Sequence, residues 1–212
     1  MKLPRIIIAD DHSLVAEALR RLVTPHFDVI AMVGDGHSLV NKALALKPEA
    51  VIVDVAMPLL NGLEACRELR AKAPRVKLVF LTMNEDPELA VEAMKAGAAG
   101  YVLKKSAASE LVLAIQAALR GRSYITPHVA RGMQESFIRN PNGRSRSKPI
   151  TARQRQVVQL LAEGRSMKQA ADVLAVTPRT IAFHKYRVME ELGLKTNAEL
   201  IQFAVTNRIV VT

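Results

Sequence analysis

Ile6-Ile7-Ile8-Ala9-Asp10-Asp11 and Val51-Ile52-Val53-Asp54 decide the fold: each is an apolar, mostly β-branched run that stops on an acid. Such runs are too short and too β-rich for helices. Being apolar at every position rather than at alternate ones, they suit strands covered on both faces. Val29–Val33, Leu78–Leu81 and Tyr101–Leu103 are further short apolar runs, the first between Asp28 and Gly34 and the last after Gly100. Between these runs lie helical patterns at Ser13–Val23, Leu63–Arg70, Glu88–Ala96 and Ser109–Arg120. In the first of them the spacing puts Leu14, Ala18, Leu19 and Leu22 on one face. Gly97 and Gly121 stand where helices end in left-handed backbone. This alternation predicts an α/β domain over residues 1–121, a doubly wound parallel five-stranded sheet.

The periodicity stops at Arg122, and residues 140–147 are polar, basic and rich in chain breakers. Residues 122–148 are therefore expected to form a flexible linker. Residues 149–212 read as a second, all-α domain of four helices. Thr151 caps the first, which carries Val157, Val158, Leu160 and Leu161 and ends at Gly164; Ser166 opens the second, through Leu174. Thr177-Pro178 supplies a cap and a first-turn proline for a third helix to Leu192, followed by Gly193. Thr196 and Glu199 have capping-box spacing before a last helix, Leu200–Val205. Two short helices about a tight turn, the second basic and well capped, are a helix-turn-helix signal.

Charge separates the two parts. Residues 1–143 hold 18 basic and 15 acidic residues, net +3, while residues 144–212 hold 12 and 5, net +7. A compact basic C-terminal third fits a polyanion partner. Cys66 is the one cysteine, so no internal disulfide can form, which suits a reducing cytoplasm. No signal-peptide pattern and no apolar run of about 18 residues is present, so neither export nor a membrane span is expected.

The polar residues fall at one place. Asp10 and Asp11 end the first predicted strand, Asp54 the third, Thr82 the fourth and Lys104 the fifth. Open α/β sheets gather their sites at the carboxyl ends of strands, where strand order reverses. Clustered carboxylates repel unless a cation joins them, and hard oxygen ligands suit Mg2+. An Asp beside that ion can attack a phosphoryl group, with a Lys and a Thr hydroxyl meeting the transferred oxygens. Each residue alone has a bland reading: a strand-end Asp is usually a cap, and a Lys pair is usually solvated surface. Their joint placement at four strand ends is what points to phosphoryl transfer onto Asp54. An aspartyl-phosphoenzyme hydrolase would need a second acid soon after the nucleophile, and position 56 is Ala, so the chain does not read as an enzyme.

With these residues in place, residues 3–121 resemble a response-regulator receiver domain, flavodoxin-like in fold. The resemblance rests on Asp10-Asp11, Asp54 with Met57-Pro58 and Gly62, Thr82, Gly97-Ala98-Ala99-Gly100-Tyr101 and Lys104. Residues 150–207 resemble a LuxR-type helix-turn-helix through Thr151-Ala152-Arg153, Leu160-Leu161-Ala162-Glu163-Gly164, Thr180-Ile181, His184, Leu192-Gly193-Leu194 and Ala198-Glu199-Leu200. Together they are similar to the NarL/FixJ response regulators of two-component systems. That resemblance implies Asp54 as phosphoacceptor, and Mg2+ on Asp11, Asp54 and the Ala56 main-chain carbonyl, with Asp10 assisting through water. It implies Lys104 as the phosphate's partner and Thr82 with Tyr101 as the switch, Tyr101 turning inward. A sensor histidine kinase would be the phosphodonor and the active form a homodimer on double-stranded promoter DNA, with RNA polymerase a further candidate partner.

The third helix of the second domain is the expected recognition helix. Thr177, Arg179, Thr180, Lys185 and Arg187 can reach phosphates. The family's base-reading positions correspond to Ala182, Phe183 and Tyr186. Three positions depart from the family: Gln154 where Glu is usual, Met167 where Asn is frequent, and Glu191 where Lys or Arg is common.

Overall fold

The computed structural model describes residues 2–139, 150–207 and 209–210. The chain divides into two compact units, residues 1–143 and 144–212. In the first, the parallel strands are β1 (Arg5–Ala9), β2 (Asp28–Val33), β3 (Ala50–Asp54), β4 (Lys77–Thr82), β5 (Gly100–Leu103) and β6 (Tyr124–Ile125). Their order across the sheet is β2-β1-β3-β4-β5-β6, so the winding reverses between β1 and β3. The helices are α1 (Ser13–Val23), α2 (Gly36–Leu46), α3 (Gly62–Lys72), α4 (Pro87–Lys95), α5 (Ala107–Leu119) and α6 (Pro127–Arg139).

Two apolar layers explain why the strands are apolar throughout. Ile7, Ala9, Val51, Val53 and Phe80 pack with Leu39, Cys66, Leu69 and Leu89 on one side of the sheet. Ile6, Ile8, Ile52, Val79 and Leu81 pack with Leu19, Val23, Leu111 and Ile115 on the other. Alternate residues of one strand thus serve opposite cores, as a doubly covered sheet requires.

Several expectations are corrected. The sheet has six strands, not five, because Tyr124 and Ile125 pair with Gly100 and Tyr101. Helix α2 was not among the helical stretches read from the sequence; Asp35 caps it by accepting from the Ser38 N–H. In α1 the buried face is Ala16, Leu19 and Val23, whereas Leu14 is 86 % exposed, so the expected stripe was rotated about the axis. Most consequentially, residues 122–139 of the expected linker are ordered into β6 and α6. Thr126 anchors them: its N–H donates to the Tyr101 carbonyl (2.9 Å), its hydroxyl donates to Glu110 (2.6 Å) and it accepts from the Leu103 N–H (3.2 Å). Val129 and Met133 then join the core beneath α4. Pro127 and Gly132 look like breakers in sequence, yet Pro127 begins the helix and Gly132 faces Pro87 of α4. The polar stretch 140–147 lies outside the described residues.

The second unit holds α7 (Ala152–Ala162), α8 (Met167–Val173), α9 (Pro178–Leu192) and α10 (Asn197–Thr206). Thr151 with Gln154 and Ser166 with Gln169 form reciprocal capping boxes on α7 and α8. At α10 Thr196 accepts from the Glu199 N–H, but the Glu199 carboxylate takes the Lys195 N–H instead, so the expected box is only half formed. Val158, Val188, Met189, Leu200, Ala204 and Ile209 make the core. Among the described residues of both units, no helix is long and apolar enough to cross a membrane.

The α4–α6 seam yields a test. Replacing a glycine inside a helix by Ala ordinarily stabilises by about 0.5–1 kcal/mol. A Cβ on Gly132 would lie 2.5 Å from Pro87 Cγ, a ring atom with little freedom to move. Gly132→Ala should therefore destabilise the receiver unit by about 1–3 kcal/mol in urea unfolding. A stabilised variant would show that α6 does not dock on α4.

Candidate functional site

Strand register assembles the first site. Ala9 pairs with Val53, Asp54 with Leu81 and Thr82 with Leu103, so the residues ending β1, β3, β4 and β5 emerge together at the carboxyl edge. Lys104, in a single 3-10 turn after β5, sends its ammonium between two buried carboxylates. Its Nζ is 2.7 Å from Asp54 Oδ2, a hydrogen bond, and 2.7 Å from Asp10 Oδ2. The second contact is an ion pair of the same length, so one ammonium serves both buried carboxylates. Asp10 Oδ1 accepts from the His12 N–H (2.9 Å), and Asp54 Oδ1 accepts from the Ala56 N–H (3.2 Å). Asp11 is exposed, its Oδ1 3.0 Å from His12 Nδ1. Gly62 allows this geometry: a Cβ there would sit 2.0 Å from the Asp54 carbonyl oxygen.

The charges do not balance. Burial raises the Asp54 carboxyl above the usual Asp range; the Lys104 hydrogen bond and charge oppose that rise, and the Asp10 charge adds to it. Burial alone would lower Lys104, but its contacts with Asp10 and Asp54 outweigh this and hold the ammonium above the ordinary lysine value. The Asp54 rise thus comes first from burial, with the Asp10 charge a smaller addition, whereas the Lys104 rise comes from its two carboxylate partners. Ligand atoms of Asp10, Asp11, His12 and Asp54 lie within 4.8 Å of one another. The carboxylate oxygens among them, two groups of which share one ammonium, fit a hard divalent cation.

Thr82 and Tyr101 are linked through a residue that sequence reasoning missed. The Asn84 N–H donates to Thr82 Oγ1 (3.1 Å), and the Asn84 carbonyl accepts from the Tyr101 hydroxyl (2.8 Å). The Tyr101 ring is fully buried, already inward. Burial and then the Asp54 charge push its phenol above the ordinary range, so it remains a donor.

In the second unit, Thr177 caps α9 by accepting from the Thr180 N–H, and Arg153 donates to the Leu174 carbonyl to fasten α7 to the α8–α9 turn. Ile181, Lys185, Val188 and Met189 form the buried stripe of α9. Phe183 and Tyr186 are 56 % and 57 % exposed, beside the exposed Arg179 and Arg187 and the partly exposed Ala182. Lys185 has a largely buried stem, and its ammonium lies 5.0 Å from the ring centroid of the exposed Tyr186, a cation–π contact.

Comparison with known proteins agrees with both units. Residues 6–116 match the response regulator receiver domain family, and residues 148–204 match the bacterial regulatory proteins of the luxR family. The chain belongs to the response regulators. It is 32 % identical over 211 residues to the uncharacterized transcriptional regulatory protein YxjL of Bacillus subtilis, covering 97 % of each chain. It is 30 % identical over 208 residues to the response regulator GacA of Pseudomonas aeruginosa, again covering 97 % of each. Among solved structures, a LuxR-family two-component response regulator from Aurantimonas aligns with a TM-score of 0.62 at 34 % identity, over 65 % of this chain and 99 % of that one. A structure of the regulator RcsB in complex with DNA aligns with a TM-score of 0.61 at 25 % identity, over 95 % and 98 %. This response regulator is thus a DNA-binding transcription regulator rather than an enzyme, with a receiver and a LuxR-type helix-turn-helix.

The structure brings together Asp10, Asp11, Asp54 and Lys104 of this response regulator, with the Ala56 N–H on Asp54 and Thr82 ending the strand beside β3. His12 was missed although it directly follows the acid pair; adjacency was its only signal. Asn84 acts through backbone groups, which carry no residue-type signal. The Asp54 shift gives a test. A carboxyl raised in the folded state favours folding only while protonated, and that contribution is lost as pH rises through the folded value. In metal-free buffer at about pH 7, Asp54→Asn should therefore melt higher than wild type, the gain vanishing as pH falls to about 4. Calorimetric melting showing the variant lower at neutral pH would refute the raised Asp54 carboxyl.

Proposed function

We propose that Asp54 accepts a phosphoryl group from a sensor histidine kinase in a Mg2+-dependent step, and that this controls sequence-specific binding of promoter DNA through α9. The observation that supports it most is the single Lys104 ammonium held between the buried carboxylates of Asp10 and Asp54. Asp10, Asp11, Asp54 and the Ala56 carbonyl would hold the Mg2+, Asp10 through water. When bound, the ion supplies positive charge to the oxygens of the transferring phosphoryl group.

The chain's own groups perform the rest. An Asp54 carboxylate oxygen forms the O–P bond as the donor's P–N bond breaks, the electron pair leaving with the imidazole nitrogen. Lys104 turns from an Asp54 oxygen to a phosphoryl oxygen, meeting the added charge of nearly two units. Thr82 exchanges the Asn84 N–H for the phosphoryl group as its partner. Because the Asn84 carbonyl holds the Tyr101 hydroxyl, that exchange reaches β5, and through Thr126 it reaches α6. The dimer of the active form and RNA polymerase contacts belong to the same reading, in the cytoplasm.

On DNA, Thr177, Arg179, Thr180 and Arg187 meet phosphates, while Ala182, Phe183 and Tyr186 face base edges and thymine methyls. Lys185, which the sequence assigned to phosphates, contributes packing and orients Tyr186. Incubation with Mg2+ and a small acyl-phosphate donor should add a phosphoryl group to wild type, seen by intact mass, and none to Asp54→Ala. Equal labelling of both proteins would remove Asp54 from the phosphoacceptor role.

A further inference from the structure

Two of the departures from the family pattern prove to be one contact. Gln154 Nε2 donates to Glu191 Oε2 (3.2 Å), while Gln154 Oε1 accepts from the Thr151 N–H (2.7 Å) to cap α7. The buried Gln154 amide therefore fixes the Glu191 carboxylate from the neighbouring helix. The other Glu191 oxygen accepts from Arg187 Nε at 2.9 Å, and the Arg187 guanidinium lies 5.9 Å from the Phe183 ring centroid. A continuous chain thus runs Thr151, Gln154, Glu191, Arg187, Phe183, ending on the exposed face of α9.

Local physics disfavours this choice. An anion in the last turn opposes the helix dipole, and Arg preceding Glu by four residues is the weaker order of that pair. Glu190 adds a second carboxylate beside it. A rule broken at an exposed position, with a buried side chain committed to holding the offending group, marks a functional constraint. The same Arg187 is 57 % exposed beside the Phe183 ring, and its Nε and part of its charge are committed to Glu191.

We propose that Glu191 is a positioning residue that competes with the DNA backbone for Arg187. It lowers sequence-independent attraction, so that discrimination rests more on Phe183 and Tyr186. This rests on α9 being the DNA-reading helix. Glu191→Gln keeps the length and an acceptor for Gln154 but removes the charge. Its affinity for a short duplex of scrambled sequence should rise about three- to ten-fold at low salt. The slope of log affinity against log salt should steepen by a fraction of about 0.9, the value for one whole phosphate contact, because Glu191 weakens the Arg187 contact rather than abolishing it. Glu191→Ala, which also loses the Gln154 bond, should show the same slope with a lower melting temperature. Adding Arg187→Ala to Glu191→Gln should return affinity and slope to wild-type values or below.

An unchanged slope in a folded Glu191→Gln protein would overturn the proposal. So would a steeper slope that survives Arg187→Ala, since the effect would then not pass through Arg187. If wild type and every variant bound duplexes with no salt dependence, the assignment of α9 to DNA would fail instead, a distinct result.

Discussion

One ammonium shared by two buried carboxylates is the constraint around which the receiver is organised. Lys104 can reach both Asp10 and Asp54 at 2.7 Å only because β1 and β3 are neighbours at the reversal of the sheet and β5 follows β4 in register. That register requires strands that are apolar on both faces, and the approach of α3 to Asp54 requires Gly62. The pocket so formed keeps an excess of negative charge, which a divalent cation and a rearranged Lys104 can accommodate. A neutral or exactly paired site would have no such responsiveness to an incoming phosphoryl group.

What the sequence made legible follows from which interactions are local. The strands of β1 and β3 could be read because burial on both faces leaves an unbroken apolar run. The acids, Thr82 and Lys104 could be placed because strand ends share one edge. Helix α6 went unread because Pro127 and Gly132 look like breakers until Pro87 is seen packed against Gly132, and they masked the four-residue spacing of Val129, Met133 and Phe137. Lys185 looked like a surface cation because only the position of the neighbouring helices shows which stripe of α9 is buried. Gln154 and Glu191, 37 residues apart, read as two unrelated departures until their side chains meet.

The two units use charge in opposite ways. The receiver concentrates anions in a buried pocket where each is costly, so a change in occupancy carries large energetic consequences. The helix-turn-helix spreads cations over an exposed surface where each is cheap, and withdraws one of them into the Glu191 pair. Under the proposed function, selective DNA binding would combine restraint of phosphate attraction with apolar contacts to bases, for which Phe183 and Tyr186 are exposed.

The coupling between the units is tested most directly by DNA affinity measured on the full chain in both phosphorylation states. A target duplex would be titrated with wild type and with Asp54→Asn, each before and after treatment with Mg2+ and phosphodonor. A coupled pocket predicts that treatment shifts the wild-type Kd by about 5- to 150-fold and leaves the Asp54→Asn value where it was. Identical Kd values for phosphorylated and unphosphorylated wild type would contradict it.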